Sequence, residues 1–215
     1  MNINRYLQYI TPKRYQRLSH VASRRSRYFT FVFENFFDVH NISAGLRSIE
    51  AFGFQDVHII EGINRLNVNK DITRGAHQWL TLHRYETTEE CFHRLRKKGY
   101  EILVADPDPG QAPLHEMEFI RPAAFVFGQE LYGISETARK EADGIFRIPI
   151  AGFVESFNVS VSVALTAYSA RIYAESSLKE RQWKLSPAQY QELLMNWVLK
   201  QPVVQKIIRK EEKHG

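Results

Sequence analysis

Three short segments concentrate residues that chemistry uses more readily than packing does. The first, Glu34-Asn-Phe-Phe-Asp-Val-His-Asn-Ile-Ser-Ala-Gly-Leu-Arg47, holds Asn41 and Arg47. Asn41 and Ser43 can each cap a helix, and for those two residues a cap is as good a reading as a site. Arg47 stands beside apolar Leu46 and about one turn after Ser43, where a helix surface can offer its planar fork to a ligand phosphate. The second segment, Gly128-Gln-Glu-Leu-Tyr-Gly133, follows an apolar run. Glycines there let backbone approach a ligand, with Glu130 between them; a turn and a cap would use the same residues. The third runs from Ile148 and Pro149 through Gly152 to Ser156, Phe157 and Asn158. A strand stopped by proline, a glycine-containing loop and a small-residue helix together present free backbone N–H groups, with Ser156 and Asn158 beside them.

Other chemistries have little footing. There is no G-x-G-x-x-G, Walker loop, G-x-S-x-G or H-E-x-x-H pattern, which removes the usual signatures of dinucleotide, nucleotide, hydrolase and zinc sites. Cys91 is the single cysteine, so a disulfide framework or a thiolate cluster within the chain is excluded and a reducing compartment fits. The histidines are scattered, and no metal site is expected. The chain carries 29 Lys and Arg against 24 Asp and Glu. No acidic residue precedes Glu34, whereas Arg5, Lys13, Arg14, Arg17, Arg24, Arg25 and Arg27 do. A polyanionic partner is therefore expected at this end, with Arg14, Arg17, Arg24 and Arg25 as candidate phosphate contacts. The polar start lacks the apolar stretch of a signal peptide, and no run approaches the ~18 apolar residues of a membrane span. A cytoplasmic protein without membrane attachment is expected.

These segments need strands and helices to position them. Thr11 and Pro12 predict a helix to about Arg25. Phe29–Phe33 predicts a strand, and Asn41–Phe52 a helix with Ile42, Leu46, Ile49 and Phe52 inward, closed by Gly53. Strands are predicted at 57–60 and 80–83, then a helix opened by Thr87 and Glu90 as a capping box and closed by Gly99. Ile102–Ala105 and Ala124–Phe127 are short apolar runs bounded by loops, as buried parallel strands are. Ser135 should cap a short helix, 145–150 form the last strand and 158–175 a long helix. Ser186 and Pro187 begin a helical pair broken at Pro202, whose Leu193, Leu194, Trp197 and Val198 need a packing partner. The expected fold class is α/β, a mostly parallel sheet flanked by helices. The polar stretch 176–186 marks the boundary between the core and a C-terminal appendage.

Taken in this order, the three segments resemble the SpoU/TrmH family of SPOUT RNA 2′-O-methyltransferases. That family has an Asn and an Arg entering a helix, a Gly-x-Glu-x-x-Gly loop, and Ile-Pro-x-x-Gly-x-x-x-Ser-x-Asn-Val-Ser. The chain supplies Asn41 and Arg47, then Gly128, Glu130 and Gly133, then Ile148, Pro149, Gly152, Ser156, Asn158 and Ser160. The likeness covers about residues 29 to 175. The basic N-terminal helix, Gly75–Trp79 and the C-terminal helical pair further resemble the members that methylate a D-loop guanosine of tRNA. Ile150 replaces a frequent methionine and Phe157 a usual leucine, and the loop Asp106-Pro-Asp-Pro-Gly110 is unusually acidic beside a cofactor.

The resemblance implies a SPOUT core at 29–176 with a C-terminal trefoil knot, a basic helical extension at 1–28 and a helical extension at 177–215. It implies S-adenosyl-L-methionine held near Ala105, Gly128, Ile148 and Phe157, with Asn41, Arg47, Glu130, Ser156 and Asn158 as the catalytic set. It further implies a homodimer in which Arg47 reaches the partner's cofactor pocket, an RNA substrate, in the first instance tRNA, and no metal. The alternatives are a ribosomal RNA 2′-O-methyltransferase of the same family and a non-catalytic RNA-binding SPOUT relative.

Overall fold

In the computed structural model residues 4–36, 38–61, 75–129 and 131–212 are described. Seven strands, β1 (Phe29–Glu34), β2 (Asp56–Ile60), β3 (Thr81–Tyr85), β4 (Glu101–Ala105), β5 (Ala112–Pro113), β6 (Ala123–Phe127) and β7 (Gly144–Arg147), form one sheet in the order β3-β2-β1-β6-β4-β7-β5. Every pairing is parallel. Every residue of β1, β2 and β6 is buried, because helices cover both faces of the sheet, and the polar members Thr30, Glu34, Asp56 and His58 are buried with the rest.

The helices are α1 (Asn4–Leu7), α2 (Pro12–Ala22), α3 (Val39–Ala51), α4 (Thr88–Lys97), α5 (Glu136–Glu141), α6 (Val159–Ser177), α7 (Glu180–Trp183), α8 (Pro187–Leu199) and α9 (Pro202–Glu211). On one face of the sheet Phe29, Phe31, Phe33, Phe125 and Phe127 meet Ile42, Leu46 and Ile49 of α3 and Val163, Ala167 and Ala170 of α6. On the other, Val32, Ile102, Val104 and Val126 meet Cys91, Phe92 and Leu95 of α4 and Ala138 of α5. The period-two alternation of side chains along β1 sends odd and even residues to these two cores.

The residues from Ser26 to Trp183 form one compact unit; those up to Arg25 and from Lys184 onward form a second. In the second, α8 begins with a capping box between Ser186 and Gln189, buries Leu193, Leu194, Trp197 and Val198, and packs against α1, α2 and α9. The Arg14 Nε donates to Gln201 Oε1 at 2.8 Å.

Several boundaries differ from expectation. Helix α3 starts at Val39, because Asp38 supplies the cap by accepting from the His40 N–H at 2.7 Å; Asn41 lies inside the helix and its amide is released from capping. Helix α2 stops at Ala22, with Ser23 as its C-cap. Strand β7 ends at Arg147, ahead of Pro149, which has no N–H for a ladder. The short elements α1, α7 and β5, and single 3₁₀ turns at Ala76–Trp79 and Leu114–Glu116, are too brief for periodicity to reveal.

Strands β2 and β3 are tied by a polar cluster. Asp56 pairs with Arg27 and His83, each at 2.9 Å, and the His58 Nδ1 lies 2.8 Å from the Tyr85 hydroxyl. Burial, with His83 beside it, pushes the His58 ring from its ordinary 6.5 down to about 3, against the opposing pull of Asp56. The fold therefore favours neutral His58, so its contribution is complete above pH 6.5 and is lost as pH falls from there toward 3. Its size is on the order of a few kcal/mol. His58→Phe is expected to lower the baseline stability but to flatten the dependence of urea midpoint on pH between about 6.5 and 4; an unaltered slope would mean that other groups dominate that window.

Candidate functional site

Parallel strands place their carboxyl ends along one edge, and a cleft of about 380 Å³ opens there among the segments that follow β4, β6 and β7. Phe127, Phe146, Ile148 and Ile150 give it an apolar floor, and Ala105, Gly128 and Phe157 line its walls. All four residues expected around a cofactor, Ala105, Gly128, Ile148 and Phe157, thus share one cavity. A Cβ at Gly128 would lie 2.1 Å from the carbonyl of Gly133 and 2.2 Å from the nitrogen of Ile134. Backbone rests on backbone there, so glycine alone fits. Gly133 has φ +67° and donates its N–H to the Gln129 carbonyl at 2.9 Å, closing the loop into a tight turn. Glu130 lies outside the described residues.

Asn158 is the N-cap of α6: its Oδ1 accepts from the Ser160 N–H at 2.9 Å and from the Ser160 hydroxyl at 2.6 Å. Its Nδ2 donates to Asn41 Oδ1 at 3.1 Å. With Asp38 supplying the cap of α3, the Asn41 Oδ1 accepts from α6. Ser156 and Asn158 both line the cleft, and Asn41 meets it through Asn158. Arg47, further along α3, is exposed and lines a separate surface depression with Ser48, Glu50, Gln78 and Trp79. Cleft and depression have no lining residue in common, so within this chain Asn41 meets Asn158 beside the cleft, whereas Arg47 lines the other depression.

The two carboxylates of the acidic loop after β4 are held by different partners. Asp106, 8% exposed, accepts from the Arg139 guanidinium and from the Asp108 N–H. The Gly110 N–H, with the Gln111 side chain, holds the Asp108 carboxyl below the usual carboxylate range. Among the expected phosphate contacts, Arg14, Arg17 and Arg24 are exposed. Arg25 must be reassigned: it is 1% exposed, with its guanidinium 5.2 Å from the centre of the Trp197 ring, a cation–π contact inside its own helical unit. Phe146, Val159 and Ser162 also line the cleft without having been expected there; for Ser162, the one-turn spacing from Asn158 along a helix is the available signal.

Gly128→Ala is expected to displace the 128–134 loop, lowering the melting temperature by several degrees, since 1 kcal/mol is worth roughly 2–8 °C in domains of 60 to 250 residues. A nucleoside-sized ligand should lose at least about tenfold in affinity, which calorimetry on the two proteins reads. Equal melting and binding would show that the loop yields without consequence.

The profile of the SpoU rRNA Methylase family matches residues 28–168, spanning β1 to the first half of α6. The tRNA (guanosine(18)-2′-O)-methyltransferase of Borreliella burgdorferi is 36% identical over 162 residues, 75% of this chain and 74% of that protein. Among solved structures, the Aquifex aeolicus TrmH/SpoU tRNA modifying enzyme superposes with a TM-score of 0.77 at 26% identity, covering 87% of this chain and 96% of that one. The SpoU methyltransferase AviRb from Streptomyces viridochromogenes, in complex with the cofactor AdoMet, shares the fold with a TM-score of 0.62 at 21% identity, over 71% of this chain and 60% of that one. With the family profile covering its whole central sheet and the cleft beside it, this chain belongs to the SpoU methylase family.

Proposed function

We propose that the protein transfers a methyl group from S-adenosylmethionine to the ribose 2′-hydroxyl of a D-loop guanosine in tRNA, guanosine 18 in the relatives' numbering, as a cytoplasmic homodimer. The observation that carries this reading is the Asn41–Asn158 hydrogen bond beside the cleft, which joins the first and third motif segments of a chain whose relatives perform this reaction. The cleft fits the cofactor: about 380 Å³ is within the range of small-molecule sites, roughly 300–1,000 Å³, and an apolar floor with backbone-built walls suits an adenine ring. Bound there, the cofactor supplies an electrophilic methyl on a sulfonium.

The protein's part is alignment and charge. The ribose 2′-oxygen must approach in line with the departing sulfur, and Asn41 and Asn158 brace the side of the cleft where it would enter. Arg47 is a poor proton acceptor, its guanidinium keeping its charge above pH ~12. It therefore orients the substrate phosphate and stabilises the developing alkoxide, while the proton leaves to that phosphate or to water. Glu130 is assigned a bracing role in the same site.

Two further parts of the reading are supported by the way α6 is made. Its inner face is small and buried, Ala167, Ala170 and Ala174, yet Val161, Leu165, Tyr168 and Ile172 form an outer apolar stripe that is 37–53% exposed. A helix apolar all round needs cover on both sides, and a second copy seated on this stripe supplies it. Such a dimer brings Arg47 to the partner's cleft. The core is assigned a C-terminal trefoil knot, supported by the convergence of the segments after β4, β6 and β7 on one cavity. Residues 29–176 carry the chemistry, and the extensions 1–28 and 177–215 capture RNA.

Incubation with labelled S-adenosylmethionine and separated tRNA and ribosomal RNA, with mapping of the modified ribose, tests the whole. Label in ribosomal RNA alone selects the alternative substrate; absence of cofactor binding at millimolar concentration removes the enzyme. Arg47→Ala should lose turnover by about 100-fold or more with cofactor affinity held within a few-fold. Mixed and reassembled with Asn158→Ala, it should regain activity, since an Arg47 acting in trans leaves one intact site per heterodimer; no recovery means that it acts in its own cleft. Replacing Arg17 and Arg24 by alanine should weaken tRNA binding and lower the log–log salt slope by ~0.7–0.9 per lost phosphate contact. Arg25→Ala should instead lower the melting temperature and leave that slope unchanged.

A further inference from the structure

Glu34 closes β1 with a carboxylate that is 1% exposed and that the methyl transfer does not use. Its Oε1 accepts from the Thr88 hydroxyl at 2.5 Å and the Ser135 hydroxyl at 2.7 Å, and its Oε2 from the Ser135 N–H at 2.9 Å. Among the described residues no Lys or Arg pairs with it. A buried carboxylate without a counter-ion is costly unless its lone pairs are satisfied. Here three donors serve it, and two of its partners open helices, Thr88 as the first residue of α4 and Ser135 as the N-cap of α5, whose positive ends favour a negative charge.

The geometry of the sheet gives this carboxylate a further consequence. Phe33 pairs with Phe127 in the β1–β6 ladder, so Glu34 stands level with Gly128, where the cleft loop leaves the sheet. That loop returns through Gly133 and Ile134 to Ser135, which is bonded to Glu34. The returning end of the loop is thus tied beside the point where the loop leaves the sheet, and Gly128 is pressed against the Gly133–Ile134 backbone. The Ser135 hydroxyl accepts from the Ala138 N–H, which leaves its own hydrogen for Glu34. We infer that Glu34 is a positioning residue: through Ser135 it sets the shape of the wall that Gly128, Gly133 and Ile134 form, and thereby the affinity for the cofactor. The last clause rests on the methyltransferase reading; the wall itself does not.

Hydrogen exchange on the ligand-free protein reads the wall directly, through the Gly133 amide that bonds to Gln129. Glu34→Ala is expected to speed exchange at Gly133 and Ile134 by about tenfold or more, with the amides of α3 and the central strands unchanged. Affinity for S-adenosylmethionine should fall about tenfold, with turnover at saturating cofactor held within about threefold. Glu34→Gln should be tolerated, because its amide oxygen can face the Ser135 N–H while its NH₂ donates to the two hydroxyls. Thr88→Val, which cuts only the tie to α4, should lower the melting temperature without moving Gly133 exchange or affinity. Should Glu34→Ala fail to fold, Ser135→Ala carries the same expectations. Uniformly faster exchange across the domain, or a Thr88→Val effect at Gly133 equal to that of Glu34→Ala, would overturn the assignment. Wild-type protein that ignores S-adenosylmethionine would defeat the methyltransferase reading alone, with exchange still deciding the role of Glu34.

Discussion

Because all strand pairs of the sheet are parallel, each segment leaving a strand leaves at the same edge, and the site is a consequence of that constraint. The chain builds β1, β2 and β3 outward in one direction, then returns to place β6 and β4 on the other side of β1. Open α/β sheets bind ligands outside the carboxyl ends of strands where the order reverses. Here the cleft lies among the ends of β4, β6 and β7, and α3, which follows β1, reaches it through the amide of Asn41.

Rigidity at this edge comes from contacts that leave little slack. Gly128 allows one stretch of backbone to lie directly on another, and a methyl group there has no room. Asn158 spends both ends of its amide, one on the first turn of α6 and the other on Asn41. Asp106 is tied to Arg139, and Asp108 is held by hydrogen bonds within its own loop. The carboxylate of Asp106, which lines the cleft, is thus already paired with Arg139.

Charge and burial part company in the helical extension. The first 33 residues carry no acid, yet their arginines do different work. Arg17 and Arg24 are exposed, while Arg25 is buried against Trp197. A guanidinium is weakly hydrated and flat, so it can serve a core as readily as a phosphate, and composition cannot tell the two uses apart.

The amino-acid order by itself determined much: α/β architecture, the parallel character of the strands at Ile102–Ala105 and Ala124–Phe127, the caps at Thr11, Thr87, Ser135 and Ser186, and the spacing of the three motif segments. These are local properties, set by periodicity, capping chemistry and short-range order, and a sequence displays them directly. Tertiary structure alone decided that Asp38 caps α3 and that Asn41 meets Asn158, 117 positions away. It also decided that Arg47 faces a depression separate from the cleft, and that Glu34 stands level with Gly128 and holds Ser135. Each of these depends on strand order and register, which bring together residues that no spacing rule connects, and on competition between neighbouring side chains for the same backbone donors, which only packing resolves.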